Sequence, residues 1–421
     1  MDLSIRTLDA SDVDAFIDLD DAAFSSRSDL ARRAASARTV EWPRMLGAFD
    51  PDGLLCGAAG AFSQTLTLPG GARVPVAGVT AVGVLPTHRR RGVLRALMAH
   101  QLDDVADRGE ALAVLTASEA TIYRRFGYGA GTQVAWARLD GDRAELAHPP
   151  RGEWTMRLVD DAEAIEVLPA VFDAAVASRP GGLSRPDAFW PAVCGAAETF
   201  VGGGEHFTVV CRAPGGRAVG YAIYGVRRSN PMGHWTVVAS EVVAADPEVD
   251  AALWRFLLDI DLSSSVDAMW APIDAPLRWR LVDQRAYRVT GESDFLWVRV
   301  VDPVAALRAR GYGAPGELVL DVDDPFRPAT SGRYRLSVGT DALGRVAAAE
   351  VGRLDVSGGA PADGAADLTL DVAELGALYL GGVRASTLAA AGRIEAASPD
   401  ALTLADRMFA PERAPYCMTR F

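Results

Sequence analysis

The stretch Thr80–Leu94, TAVGVLPTHRRRGVL, decides the fold of this chain. Thr80–Leu85 is a short apolar, β-branched run that suits a buried strand. Pro86-Thr87-His88 breaks it, because proline has no amide hydrogen and disfavours helix at the residue before it. Three arginines and a glycine follow. From Val93 to Val105 the apolar residues Val93, Leu94, Leu97, Met98, Leu102 and Val105 recur at helical spacing. The order is strand, turn, basic glycine-bearing loop, helix. A helix start exposes unpaired N–H groups and a partial positive charge, so it holds phosphate. Arginines beside it add forked donors for phosphate oxygens.

The surrounding segments extend this reading. Leu3–Arg6 is a short strand, and Asp9-Ala10-Ser11-Asp12 caps a helix carrying Val13, Phe16, Ile17 and Leu19. Ser28–Ala35 is a second short helix. Arg44–Ala48, Leu54–Leu66 and Ala72–Leu85 are three antiparallel strands joined at Asp50-Pro51-Asp52-Gly53 and Pro69-Gly70-Gly71. Ala111–Leu115 is a buried parallel strand. Thr116–Glu119 caps a helix that carries Tyr123 and ends near Gly127, and Gln133–Leu139 closes the unit as a strand.

Composition removes several chemistries. The 421 residues are too many for one ordinary core and imply two or three domains. The chain holds no lysine, so all 42 basic residues are arginine. A Walker A loop, a pyridoxal-phosphate Schiff base and a kinase strand lysine are therefore excluded. Cys56, Cys194, Cys211 and Cys417 are scattered, and the five histidines show no ligand spacing, so no metal is expected. The net charge of −13 argues against nucleic-acid binding. No stretch is long and apolar enough for a membrane helix, and the acidic N-terminus lacks a signal pattern, so a cytoplasmic location without membrane partners is expected.

With these residues in view, the chain resembles the GNAT superfamily of acetyl-coenzyme A-dependent N-acetyltransferases. The family loop Q/R-x-x-G-x-G/A corresponds to Arg89-Arg90-Arg91-Gly92-Val93-Leu94, with leucine replacing the usual small last residue. THRRRG, ASEATIYRRFGYG and LYLGGVRASTLAAAGR together are similar to the Eis (enhanced intracellular survival) family. That resemblance implies α/β and α+β architecture: tandem GNAT domains, the first active and the central one degenerate, then a sterol-carrier-like domain. Residues 1–147, 148–300 and 301–421 are the expected domains. The central unit has its cofactor-strand counterpart at Trp235–Ala244, followed by Ala245-Asp246-Pro247-Glu248 with no arginine–glycine loop. It is expected to bind no coenzyme A.

The resemblance also assigns roles. The backbone of Val82, Gly83 and Val84 would pair with the pantetheine arm of acetyl-coenzyme A, with the Val82 N–H facing the thioester oxygen. Arg89, Arg90, Arg91 and Gly92 would take the pyrophosphate. Ser118 is a helix cap first and a cofactor contact second. Tyr123 would be the general acid, although spacing alone describes a packed aromatic. The terminal Phe421 would supply a carboxylate as base or orienting group. The acceptor is expected to be a cationic small-molecule amine of aminoglycoside type or a peptide, and the assembly a homo-oligomer, hexameric in the family. Acetylation of protein lysines and lipid carriage on a vestigial scaffold are the alternatives. Best-known Eis proteins hold aminoglycosides with acidic groups. Here Arg420 and Ser25-Ser26 stand where two of those acids are expected, and Ala81 replaces an aromatic.

Overall fold

The computed structural model describes residues 2–195, 206–228, 233–354 and 365–421. The chain falls into two compact units. One holds the chain up to Thr132, Phe295–Glu412 and Arg420–Phe421; the other holds Gln133–Asp294 and Arg413–Thr419.

The first unit opens with β1 (Ser4–Thr7), α1 (Val13–Phe24) and α2 (Leu30–Thr39). Three antiparallel strands follow: β2 (Leu46–Phe49), β3 (Leu55–Thr67) and β4 (Arg73–Val84). Then come α3 (Val93–Asp107), β5 (Leu112–Thr116), α4 (Ala120–Tyr123) and β6 (Gly129–Ala130). The helical spacing read after the arginines is borne out. Val93, Leu97, Met98, Leu102 and Val105 are buried, and Leu94 is partly buried against them. Helix α3 lies close on β3 because residue 57 is glycine. A Cβ there would stand 2.6 Å from Val93 Cγ1 and 3.0 Å from Leu97 Cδ1.

The second unit contains β7 (Gln133–Asp140), β8 (Thr155–Val159), α5 (Asp161–Ala177), α6 (Trp190–Gly195), β9 (His206–Arg212), β10 (Ala218–Arg227) and β11 (Trp235–Ala244). It continues through α7 (Pro247–Leu258), β12 (Ser263–Ala271), α8 (Leu277–Arg280) and β13 (Tyr287–Asp294). The strands form one sheet in the order β13-β7-β12-β11-β10-β9-β8. Helix α7 repeats the close packing of α3, since a Cβ on Gly220 would stand 2.6 Å from Val249 Cγ1 and 3.1 Å from Leu253 Cδ1.

The chain then returns to the first unit with β14 (Leu296–Val300), α9 (Pro303–Ala309), β15 (Gly316–Asp323), β16 (Gly332–Thr340) and β17 (Val346–Leu354). It ends with β18 (Leu368–Asp371), α10 (Val372–Tyr379), α11 (Ala385–Ala390), β19 (Ile394–Ala396) and α12 (Pro399–Phe409). Strands β15 to β19 make a separate five-stranded sheet in the order β17-β16-β15-β18-β19. Within this unit, α4 leads directly to Arg124, which donates to Glu374 on α10 at 2.6 and 3.1 Å. Arg299 of β14 pairs with Asp324 with neither side chain exposed. Removing one partner of such a buried pair costs about 3–5 kcal/mol.

One expectation is corrected. Gln133–Leu139 does not close the first sheet. As β7 it lies between β13 and β12 in the second. Its place in the first sheet is taken by β14, which pairs with β5 and β6, giving the order β1-β2-β3-β4-β5-β14-β6. Both segments are apolar and extended, and nothing in such a run names its partner strand.

Candidate active site

The site begins with an irregularity in β4. Ala58 faces Gly83 and Gly60 faces Thr80, so Ala81 and Val82 together oppose Ala59. That two-against-one count is a β-bulge, and Ala81 takes φ 50° to make it. On its other side β4 pairs in parallel with β5 at Ala77↔Ala113 and Gly78↔Val114. Among the described residues no further pair follows, and the two strands part. The slot between them is flanked by the backbone of Val82–Val84, whose polar groups can pair with an extended ligand as with another strand.

The turn after β4 is built by short-range bonds. Leu85 N donates to Cys56 O at 3.0 Å and His88 N to Leu85 O at 2.8 Å. His88 Nε2 meets Asp50 at 3.3 Å, and Arg89 Nη2 donates to Ala23 O at 3.1 Å. Arg90 has φ 63° and Gly92 has φ 86°. Gly92 is the N-cap of α3 and carries no side chain, so no side-chain oxygen caps the first turn. A Cβ at Gly92 would find nothing within 4 Å, which leaves room for a ligand to approach the backbone. Uncapped helix amides, a left-handed loop and adjacent guanidinium groups form an anion cradle.

Tyr123 closes α4 and faces the same cleft. Its ring meets Tyr128 edge-on at 6.0 Å. Burial, and then the nearby Glu119 carboxylate, raise its pKa above the ordinary phenol value. It is therefore a proton donor at neutral pH. Ser118 is not the cap expected of it: Glu119 is the N-cap of α4, no side chain caps that helix, and Ser118 lines the cleft instead.

The chain terminus lies in the same unit. Thr116 Oγ1, at the end of β5, donates to Phe421 O at 3.3 Å. The Phe421 ring packs over Gly78, where a Cβ would stand 3.3 Å from Cε2 and 1.8 Å from Gln64 Oε1. Gly78 is also the last residue of β4 paired with β5, so Phe421 sits where the slot begins.

Of the residues singled out from sequence, Val82, Gly83, Val84, Arg89, Arg90, Gly92, Ser118 and Tyr123 line one cavity of about 580 Å3. Arg91 is not among its lining residues. Phe421 is not either; it is held at Gly78 and Thr116. The cavity also takes in Ala23, Phe24, Arg95, Ile122 and Arg125, which sequence reading did not select for the cofactor. Arg95 had a usable signal, since it follows Gly92 by three residues and so lies at the same end of α3. Thr116 and Gly78 had none. Of the two serines at the expected acidic position, Ser26 turns elsewhere: its Oγ donates to Asp21 at 2.8 Å.

The second unit has a counterpart with different surroundings. Strand β11 bulges at Ser240, between the pairs Ile223↔Glu241 and Tyr224↔Ala239. Here the loop to the helix is only Ala245-Asp246, and Asp246 caps α7 by accepting from Glu248 N at 2.7 Å. Glu248 and Asp250 lie in the first turn, where carboxylates occupy the positive end of the helix dipole. The adjoining cavity is lined partly by Arg413, Tyr416 and Met418 of the chain's own tail. Among the described residues no cluster of three or more His, Cys, Asp or Glu is placed to hold a metal.

Three regions match known domain families. Residues 4–131 and 181–300 each match an acetyltransferase (GNAT) domain, and 303–418 match a sterol carrier protein domain. The chain is 39% identical over 422 residues to an uncharacterized N-acetyltransferase of Streptomyces avermitilis, covering 99% of both. It is 36% identical to the N-acetyltransferase Eis of Mycobacterium tuberculosis over 355 residues, 82% of this chain and 81% of the relative. The crystal structure of Eis1 from Mycobacterium abscessus superposes with a TM-score of 0.85 at 35% identity, covering 99% of this chain and 100% of that one.

Proposed function

This chain belongs to the Eis family of GNAT N-acetyltransferases, and from that premise we propose that it acetylates primary amines of a cationic small molecule by direct attack in a ternary complex. The observation that carries the reading is the meeting, in one cleft, of a splayed and bulged strand, an uncapped basic helix start and a protonated tyrosine.

Acetyl-coenzyme A, when bound, supplies a thioester whose carbonyl carbon is the electrophile. The backbone of Val82, Gly83 and Val84 would hold the extended arm, with the Val82 N–H as donor to the carbonyl oxygen, where donated charge matters most. Arg89, Arg90 and the amides beyond Gly92 would hold the pyrophosphate, with Ser118 lining the same cleft and Arg91 outside its lining. Tyr123 gives its phenolic proton to the departing sulfur as the C–S bond breaks and the C–N bond forms, and regains a proton from solvent. The Phe421 carboxylate draws a proton from the acceptor ammonium before attack, and the nitrogen loses a second proton to solvent as the amide forms. An α-carboxylate titrates at roughly 3.3–3.7 and an alkylammonium near 10, so this group works through water and by orienting the amine. The whole reaction releases one proton to solvent.

For the acceptor, an amine of aminoglycoside type leads and peptide lysine is second. The half-exposed ring of Phe24 and the carboxylate of Glu119 line the cavity and suit a bulky cation. The family hexamer is part of the same reading and is checked by light scattering on the purified chain. A thiol-release screen over aminoglycosides, polyamines, lysine derivatives and cationic peptides tests the acceptor class. Turnover with aminoglycosides or polyamines above that with peptides is expected; turnover with peptides alone would overturn the small-molecule assignment.

A further inference from the structure

Strand β5 ends on a polar residue. Leu112, Ala113, Val114 and Leu115 are apolar and buried, whereas Thr116 is only partly buried. A β-branched residue suits a strand, and valine would pack there as well, so the hydroxyl needs its own explanation. It does not serve the helix that follows, because no side chain caps α4. Its acceptor is Phe421 O, at 3.3 Å. That oxygen belongs to the terminal carboxylate, and both residues lie in the same compact unit.

Phe421 is held from both strands that border the slot. Gly78↔Val114 is the last pair between β4 and β5. The Phe421 ring rests on the β4 side of it, where a Cβ added to Gly78 would stand 3.3 Å from Cε2. On β5, Thr116 comes two residues after Val114. The two side chains therefore project from the same face, and Thr116 lies about 7 Å farther along the strand, past the point where the strands part. Phe421 makes an apolar contact where the strands are still paired and a polar one where they have separated. Chain ends fray unless they are tied, and this one is tied at two points. A carboxylate has two oxygens. With the ring seated and one oxygen bonded, the direction of the second is set. The segment that runs on from Thr116 carries Ser118 and Tyr123 into the cleft.

We infer that Thr116 is a positioning residue, its hydroxyl orienting the terminal carboxylate toward the acceptor amine. This rests on the proposed part of Phe421 in catalysis. Thr116 acts through Phe421 and takes no part in proton transfer. Its hydrogen bond has an ionised acceptor, which makes it one of the stronger kind. A misplacement of about 1 Å in a reacting group costs roughly a hundredfold in rate, so losing this bond acts on kcat.

The test compares substitutions at this one position in the full chain. Thr116→Val keeps the side-chain shape and removes the donor. Thr116→Ala removes the donor without the bulk, and Thr116→Ser keeps the hydroxyl. The valine and alanine variants are expected to lower kcat roughly ten- to a hundredfold at an unchanged acetyl-coenzyme A Kd, with Thr116→Ser near the parent. In a chain lacking Phe421, Thr116→Val is expected to cause no additional loss, because the group it orients is gone. Full activity of Thr116→Val and Thr116→Ala, a loss with Thr116→Ser as deep as theirs, or an equal loss in the two backgrounds would overturn the role of Thr116. Full activity of the chain lacking Phe421 would instead overturn the terminal-carboxylate reading on which that role depends.

Discussion

The molecule contains two versions of one sheet, and they differ where it matters. Both carry a bulge in the strand before the central helix, at Ala81–Val82 and at Ser240. Both seat that helix on a glycine, Gly57 under Val93 and Leu97, and Gly220 under Val249 and Leu253. The first joins strand to helix through Leu85–Gly92, eight residues with three arginines and an uncapped helix start. The second uses two residues, a capping aspartate and an acidic first turn. Packing was kept and the anion cradle was not. A fold can thus retain its scaffold while a few residues at one helix end decide whether a phosphate is welcomed or repelled.

The comparison breaks most visibly at the chemistry. Tyr123→Phe is expected to lower kcat by roughly 10²–10⁴ while acetyl-coenzyme A still binds, as steady-state kinetics beside calorimetry will show. Because burial and Glu119 raise the Tyr123 pKa, the neutral donor persists above the ordinary phenol value of about 10. The parent enzyme should therefore show no alkaline loss of kcat from this group between about pH 7 and 9.5. Next is the cradle. Arg90→Ala removes a charge-assisted donor worth about 1.5–3 kcal/mol, so the acetyl-coenzyme A Kd should rise roughly ten- to a hundredfold.

The shared packing gives a matched pair. Gly57→Ala and Gly220→Ala each press a methyl into a core side chain at 2.6 Å. Each is expected to cost about 1–3 kcal/mol in denaturant unfolding, and by similar amounts. A large inequality would show that the two helices are not seated alike.

The smallest effect belongs to Asp250, in the acidic first turn of α7. Burial raises its pKa from 3.8 to about 6, with Arg280 the largest opposing influence. A carboxyl raised in the folded state contributes stability while protonated, fully below about pH 4, and this is lost as pH rises through about 6. Asp250→Asn should therefore stabilise the protein above pH 6 by about 1–2 kcal/mol, allowing for residual exposure, and give no gain near pH 4. Thermal unfolding at the two pH values checks it.

Much of this was legible in the sequence, and the limits have physical reasons. Helix α3 and strands β3 and β4 carry strong periodic or continuous apolar patterns, and a glycine after three arginines marks the cradle. Strand β12 opens with three serines and β13 reads YRVTGESD, largely exposed, so neither shows the apolar run or alternation that identifies a strand. The exchange of β7 and β14 between sheets was invisible, because pairing is decided by tertiary register. The destination of the tail was equally hidden. Its ties to Pro180, Leu183 and Trp270 run mostly to backbone carbonyls, which leave no mark on side-chain identity.

The central claim is that one sheet of the two binds acetyl-coenzyme A, through the Arg89–Gly92 loop. Isothermal titration calorimetry of the full chain tests it most directly. One site per chain is expected, and it should be abolished when Arg89 and Arg90 are both replaced by alanine. Two sites per chain, or a single site that survives the loss of both arginines, would contradict the account.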